Sequence, residues 1–329
     1  MGTLLLWVAF SFLVLFMLAL DLGVFHRRAH AVGLREAAVW SVVWVAVSLS
    51  FNLGLWAWYG SQQALEFLAG YLIEKSFSVD NIFVFAVLFR YFDVEARYQH
   101  RVLFWGILGA LVMRGVMIGT GAALISRFEW ILYLFGAFLV VSGVRMMFYR
   151  PERFLPEQNP VLRLARWVLP ITEDYEGQKF FVCRQSGLRA TPLFLVLLVI
   201  ETTDLAFAVD SIPAIFVITQ DPFIVYTSNV FAILGLRAFY FLLAGMMPYF
   251  RYLSAGLSLM LVFVGVKMLI EPWVHISILL SLGVVGLVLG VAIVASIYSA
   301  PTEPPDWNKK KGSGEEAGSG ESGDVKHVS

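Results

Sequence analysis

A single cysteine, Cys183, in 329 residues rules out both an internal disulfide and a paired-cysteine metal site. Histidine is scarce too. His26, His30, His100, His275 and His327 all fall at the ends of apolar segments, in connections or in the tail. Zn²⁺ and copper prefer His and Cys, so soft-metal chemistry in the interior is disfavoured. Charge is sparse at 15% of residues and balances to a formal net of +0, which leaves no broad basic surface for nucleic acid. Signatures of catalysis are missing as well: there is no H-E-x-x-H, no G-x-G-D of an intramembrane aspartyl protease, and no P-loop to drive transport with ATP. The chain is therefore not expected to be an enzyme, nor to hold a permanently bound cofactor.

What abounds is apolar surface, at 59% of residues, far above a water-soluble domain of ordinary composition. Runs such as "LLLWVAFSFLVLFMLAL" at 4–20 approach the ~20 residues that cross a ~30 Å hydrocarbon core. They do not alternate, so they predict helices rather than barrel strands. The first lacks a basic leader and a small-residue cleavage site, and is read as a retained helix. About nine such segments run near 3–25, 37–59, 64–89, 101–124, 129–149, 191–219, 223–247, 252–270 and 275–298. The fold class is an all-α membrane protein of about nine transmembrane helices. Its expected parts are an N-terminal hairpin (1–60), a three-helix unit (61–149), a polar loop (150–190), a second three-helix unit (191–271), a last helix (272–299) and a disordered Gly-, Ser- and charge-rich tail (300–329).

Basic residues set the orientation. Arg27, Arg28, Arg35, Arg90, Arg97, Arg101, Arg251, the arginines of 150–190 and the tail lysines all fall in alternate connections, and Arg127 alone lies in the others. The N-terminus is expected outside, and the 150–190 loop and C-terminus in the cytoplasm.

Two stretches align. "IEKSFSVDNIFVFAVLF" (73–89) set over "TDLAFAVDSIPAIFVIT" (203–219) places Glu74 on Asp204, Asp80 on Asp210 and Asn81 on Ser211. Downstream, Arg114 answers Arg237, and Arg145 answers Lys267. On the topology above, segments 3–5 and 6–8 are inverted three-helix repeats, a plan that secondary transporters use to hold substrate near the membrane midplane.

The acids need compensation. A charged residue at a helix centre costs roughly 2.5 to 3.5 kcal/mol on insertion scales, so Glu74, Asp80, Glu201, Asp204 and Asp210 cost on the order of 10 to 18 kcal/mol together if ionised and unpaired. Net stability of about 5 to 15 kcal/mol cannot carry that. Ion pairing with Lys75, Arg114, Arg145, Arg237 and Lys267 is one answer; Arg145 and Lys267 sit near segment ends, where they can snorkel. A bound cation is the other. Carboxylate, amide and carbonyl oxygens are hard ligands that suit Mn²⁺, Ca²⁺ or Mg²⁺. The expected metal ligands are Glu74, Asp80, Asp204 and Asp210, with Asn81, Glu201 and Ser211 accessory and Arg114 and Arg237 gating or compensating charge. Six residues separate the acids in each copy, about 240° of helical turn, so one shared site predicts a break between them, favoured by Pro213 and the nearby serines and threonines. Glu201 has no acidic counterpart, because Tyr71 stands in its place.

"LDLGVFHRRAH" (20–30), "EAAVWSVVWVAVSLSFNLG" (36–54), "EKSFSVDNIFVF" (74–85) and "ETTDLAFAVDSIPAIFVITQDPFIVYTSNVFAILGLRAFYF" (201–241) resemble the TerC/Alx family of integral membrane proteins. The resemblance covers approximately 1–298, omitting most of the 150–190 loop. It implies a bacterial inner-membrane protein of metal-ion homeostasis, with manganese export the favoured role and tellurium resistance the historical name. The family's acids carry over onto Glu74, Asp80, Glu201, Asp204 and Asp210. The combined expectation is a secondary transporter exporting Mn²⁺ from the cytoplasm, with proton exchange. The alternatives are a non-transporting membrane scaffold or assembly factor, which would engage cytoplasmic partners through the 150–190 loop or tail, and a Ca²⁺-type cation carrier.

Overall fold

Each expected apolar segment contains a helix in the computed structural model, which describes residues 4–23, 33–128, 130–148, 160–172, 174–184, 187–244 and 252–299. The helices are α1 (Leu4–Gly23), α2 (Leu34–Tyr59), α3 (Ser61–Tyr91), α4 (Ala96–Arg127) and α5 (Ile131–Phe148), then a short α6 (Pro160–Val168). After a hairpin, β1 (Phe181–Arg184) and β2 (Gly187–Ala190), come α7 (Pro192–Phe216), α8 (Pro222–Leu234), α9 (Leu236–Ala244), α10 (Leu253–Ile270) and α11 (Ile278–Tyr298). The tail at 300–329 and the arginines at 27 and 28 lie outside the described residues.

Among the described residues the count of clear spans is lower than nine. Five helices are both long and apolar enough to cross a bilayer, namely α2, α4, α5, α7 and α11, and the bent pair α8–α9 makes a sixth. Each of the remaining three meets one criterion. At 31 residues α3 reaches about 46 Å, but its charged residues lower its hydropathy. By contrast the apolar stretches Leu4–Leu20 of α1 and Ser254–Ile270 of α10 fall just short of the length required.

Local chemistry explains the breaks. Between α2 and α3 stands Gly60 alone, at φ 98°, a left-handed conformation that a side chain resists. Asp221 caps α8 by accepting from the Phe223 N–H at 2.9 Å, and Pro222 occupies the first helical position. Segment 223–247 is not one helix, since α8 and α9 meet at 43° across Gly235.

Packing joins the two halves. Glycines bring α5 and α10 together backbone to backbone: a Cβ on Gly265 would stand 2.7 Å from the Gly136 carbonyl oxygen, and one on Gly143 2.8 Å from that of Ser258. Phe10, Phe51, Phe67, Phe223 and Phe231 interlock α1, α2, α3 and α8. The core thus formed encloses the middles of α3, α4, α7 and α8, where buried polar and charged residues sit.

Candidate functional site

Arg114, halfway along α4, is 1% exposed and must find acceptors inside the protein. Asp204 on α7 supplies two. The guanidinium donates through Nε to Oδ2 at 3.1 Å and through Nη2 to Oδ1 at 3.0 Å, a fork that matches the carboxylate plane. Nη1 donates to Glu74 Oε1 on α3 and to Asn229 Oδ1 on α8 at 3.3 Å. The amides complete the ring. Asn229 Nδ2 donates to Glu74 Oε2 and Asn81 Nδ2 to Asp204 Oδ1, each at 3.1 Å. Glu74, Asn81, Asp204 and Asn229 are all buried, so four helices meet on one guanidinium out of water's reach.

Two carboxylates and one guanidinium leave the cluster formally negative by one charge. Some oxygens also lack partners. Among the described residues, buried Asn81 Oδ1, Glu201 Oε2 and Ser211 Oγ accept or donate no hydrogen bond. Glu201 lies one turn before Asp204 on the same face of α7 and rests on Gly109 of α4, where an added Cβ would collide with its carboxylate.

The expected residues are not all brought to one place. Asp210 faces α5 instead, accepting from Ser142 Oγ at 3.0 Å, with Arg145 on the same helix acting on it electrostatically. The side chain of Asp80 lies outside the described residues. Arg237 is buried on α9. Among the described residues no three of His, Cys, Asp and Glu group as metal ligands.

The acids are separated because the expected helix break is not there. Both α3 and α7 run uninterrupted through their acid pairs. Ser211 apart, the hydroxyls expected to loosen them bond back to their own helices, as Ser78 does to the Glu74 carbonyl, Thr202 to that of Leu198 and Thr203 to that of Val199. Six residues therefore keep their full turn of about 240°, and Asp204 and Asp210 look toward different neighbours. Lys267 departs from expectation too, being 4% exposed and lining a small cavity with Ile73 and Ser281 rather than reaching outward.

Two residues escaped the sequence reading. Asn229 sits in "YTSNV", and a neutral amide in an apolar run gives little signal of its own. Lys75 was counted only as a counter-ion. Its ammonium donates to the Ala232 carbonyl at 3.3 Å and lies 4.8 Å from the Phe239 ring centroid, so it touches both sides of the α8–α9 bend. Carbonyls in a helix's last turn lack intrahelical donors, and the negative end of the dipole favours a cation there. Gly235 leaves the space, since a Cβ there would stand 3.1 Å from Lys75 Nζ. Consecutive residues of α3 thus hold α8, Glu74 through Asn229 and Lys75 through Ala232.

Comparison with known proteins agrees with this membrane architecture. The sequence model of the family described as "Integral membrane protein TerC family" matches residues 59–303. An uncharacterized membrane protein of Myxococcus xanthus is 50% identical over 307 residues, covering 92% of this chain and 96% of its own. "Putative membrane-bound redox modulator Alx" of Escherichia coli strain K12 is 52% identical over 309 residues, covering 91% and 95% respectively. An uncharacterized membrane protein of Rickettsia bellii is 40% identical over 291 residues, covering 88% of this chain and 96% of its own. No solved structure matches. With apolar helices fit to span a bilayer and a match across most of its length, the chain belongs to the TerC family of integral membrane proteins.

Proposed function

We propose that this protein is a secondary transporter that exports a divalent metal ion, with Mn²⁺ the favoured cargo, from the cytoplasm in exchange for protons. One observation carries the reading. Glu74 and Asp204, equivalent residues of the two aligned stretches, converge on a single buried cation, Arg114. A pair that holds a guanidinium in a dry interior has the charge and the oxygen donors for a hard metal ion, and Arg114 stands where the cargo's charge would otherwise be needed. The unpartnered oxygens of Asn81, Glu201 and Ser211 add donors beside it. Protonation of the carboxylates discharges the same oxygens that bind metal, which gives the exchange a chemical basis.

The repeat reading fits the packing. If segments 3–5 and 6–8 are inverted copies, α3 should pack on α7 and α5 on α10, while α3 on α8 should be answered by α4 on α7. All four contacts are present. In this reading α1, α3 and α10 also cross the membrane, nine passages in all, with charged α3 shielded by its neighbours. The distribution of Lys and Arg favours an N-terminus outside and a C-terminus in the cytoplasm of a bacterial inner membrane.

Relatives named as redox modulators suggest a second role. In this chain an internal dithiol couple cannot serve it, because Cys183 is the lone cysteine and lies exposed on β1. A test of export is Mn²⁺ uptake by inverted membrane vesicles carrying wild type, Glu74→Gln or Asp204→Asn. Uptake by wild type and its loss in folded variants supports the proposal. Wild-type vesicles that take up no divalent ion contradict it.

A further inference from the structure

Around helix α6 run a buried apolar sector, a basic one, and an exposed apolar one that adjoins the first. At about 100° per residue, Val161, Leu162 and Ala165 form one apolar sector, and Leu162 and Ala165 are buried where α6 packs on α7. Arg163 and Arg166 form a second. The third is again apolar and is covered by none of the described residues: Leu164 is 58% exposed, Trp167 84% and Val168 59%. A nine-residue helix in water has no use for that third face.

The height of α6 along the molecule says what covers it. Its last turn closes with Leu169 N–H on the Ala165 carbonyl, and the chain is then pinned to β2: the Ala190 N–H donates to the Pro170 carbonyl and the Thr172 N–H to the Ala190 carbonyl, each at 2.9 Å. Two residues after Ala190, Pro192 opens α7, one of the membrane-spanning helices. Accordingly α6 is held level with the point where α7 enters the bilayer. A tryptophan flanked by aliphatic residues on one side and arginines on the other suits that boundary, ring and aliphatics among acyl chains and guanidiniums on phosphates.

We propose that α6 is an interfacial helix, seated in the leaflet that α7 enters, with Leu164, Trp167 and Val168 in the acyl region and Arg163 and Arg166 on anionic lipid headgroups. This placement depends on the chain being a membrane protein and not on what it transports. It makes the connection between the two halves a lipid-anchored element, so the headgroup composition of that leaflet acts on the start of α7.

The test uses the full chain with Cys183→Ser, which removes the lone thiol, and a cysteine substituted in turn for Leu164, Trp167 or Val168 and spin-labelled. The protein is placed in vesicles of phosphatidylcholine with and without phosphatidylglycerol. Labels at all three positions are expected to be more accessible to oxygen than to an aqueous nickel complex. Arg163→Gln with Arg166→Gln is expected to lower the interface-to-water occupancy roughly thirtyfold in the anionic vesicles, from about 1 kcal/mol per arginine, and much less in neutral ones. Labels freely open to nickel place the face in water and overturn the proposal. Labels immobilised and shielded from both reagents place it against a second copy or a partner protein and overturn it equally. Should the labelled variants misfold, quenching of wild type minus Trp167→Phe by bromolipids reads the same contact, and no difference refutes it.

Discussion

Replacing Arg114 with Gln leaves Glu74 and Asp204 buried with no cation between them. The wild-type guanidinium meets both carboxylates and one amide with almost no exposure, so its loss is not repaired by water. Removing one partner of a buried pair costs about 3 to 5 kcal/mol, a large share of a net stability of about 5 to 15 kcal/mol. Unfolding in mixed micelles, followed by tryptophan fluorescence, is expected to show a loss of that size. A triple variant that also carries Glu74→Gln and Asp204→Asn should regain most of it, because no unpaired charge is left. Metal should act selectively. If the two acids accept a divalent ion in place of the guanidinium, Mn²⁺ at about a hundredfold excess over its dissociation constant restores roughly 2.7 kcal/mol to Arg114→Gln and nothing to the triple variant. A loss under about 1 kcal/mol, or equal effects of Mn²⁺ on both variants, would refute the reasoning.

Other substitutions probe the neighbouring contacts. Gly109→Ala drives a methyl group into Glu201's carboxylate and should depress Mn²⁺ flux several-fold with little loss of folded protein; unchanged flux would remove Glu201 from the site. Lys75→Met removes the cation from the Ala232 carbonyl and should cost about 1 to 3 kcal/mol, with faster hydrogen exchange around Gly235; wild-type exchange there would show that the bend needs no lysine. Gly143→Leu should separate α5 from α10 and destabilise by at least about 3 kcal/mol in the same micelle unfolding assay, since the obstacle is backbone; a smaller loss contradicts the close approach. Outside the membrane, the Tyr175 hydroxyl donates to the Phe92 carbonyl, and burial with nearby Asp93 raises its pKa to about 12. A group raised in the folded state stabilises below its unfolded pKa, about 10, and that contribution disappears as pH climbs toward 12. Ultraviolet titration of wild type minus Tyr175→Phe should therefore show a midpoint near 12, and one near 10 would contradict the contact.

Much of the helical architecture and part of the site could be read from sequence, for definite reasons. Long apolar runs force helices in lipid, so each expected segment reappears among the described helices. An ionised group within such a run is costly, so Glu74, Asp204 and Arg114 stood out before any geometry was known. The grouping of acids was harder. It depends on helix phase, and the uninterrupted turns of α7 send Asp210 to Ser142 while Asp204 goes to Arg114. Asn229 went unnoticed because an amide costs little until its partners are known. The contact at the Gly235 bend was hidden for a similar reason, as Lys75 stands 157 positions before the Ala232 carbonyl it meets, which no local pattern reveals. The hairpin in the polar loop has four-residue strands without regular alternation, too short to signal themselves.

The acid cluster as a cation path is tested most directly with purified protein in liposomes that enclose a Mn²⁺-quenched dye. An inward Mn²⁺ gradient should quench the dye through wild type, and an opposing proton gradient should change the rate. Glu74→Gln and Asp204→Asn, shown to be folded by their unfolding curves, should each abolish the flux. Silent wild-type liposomes, or flux at the wild-type rate through both folded variants, would contradict transport through these residues.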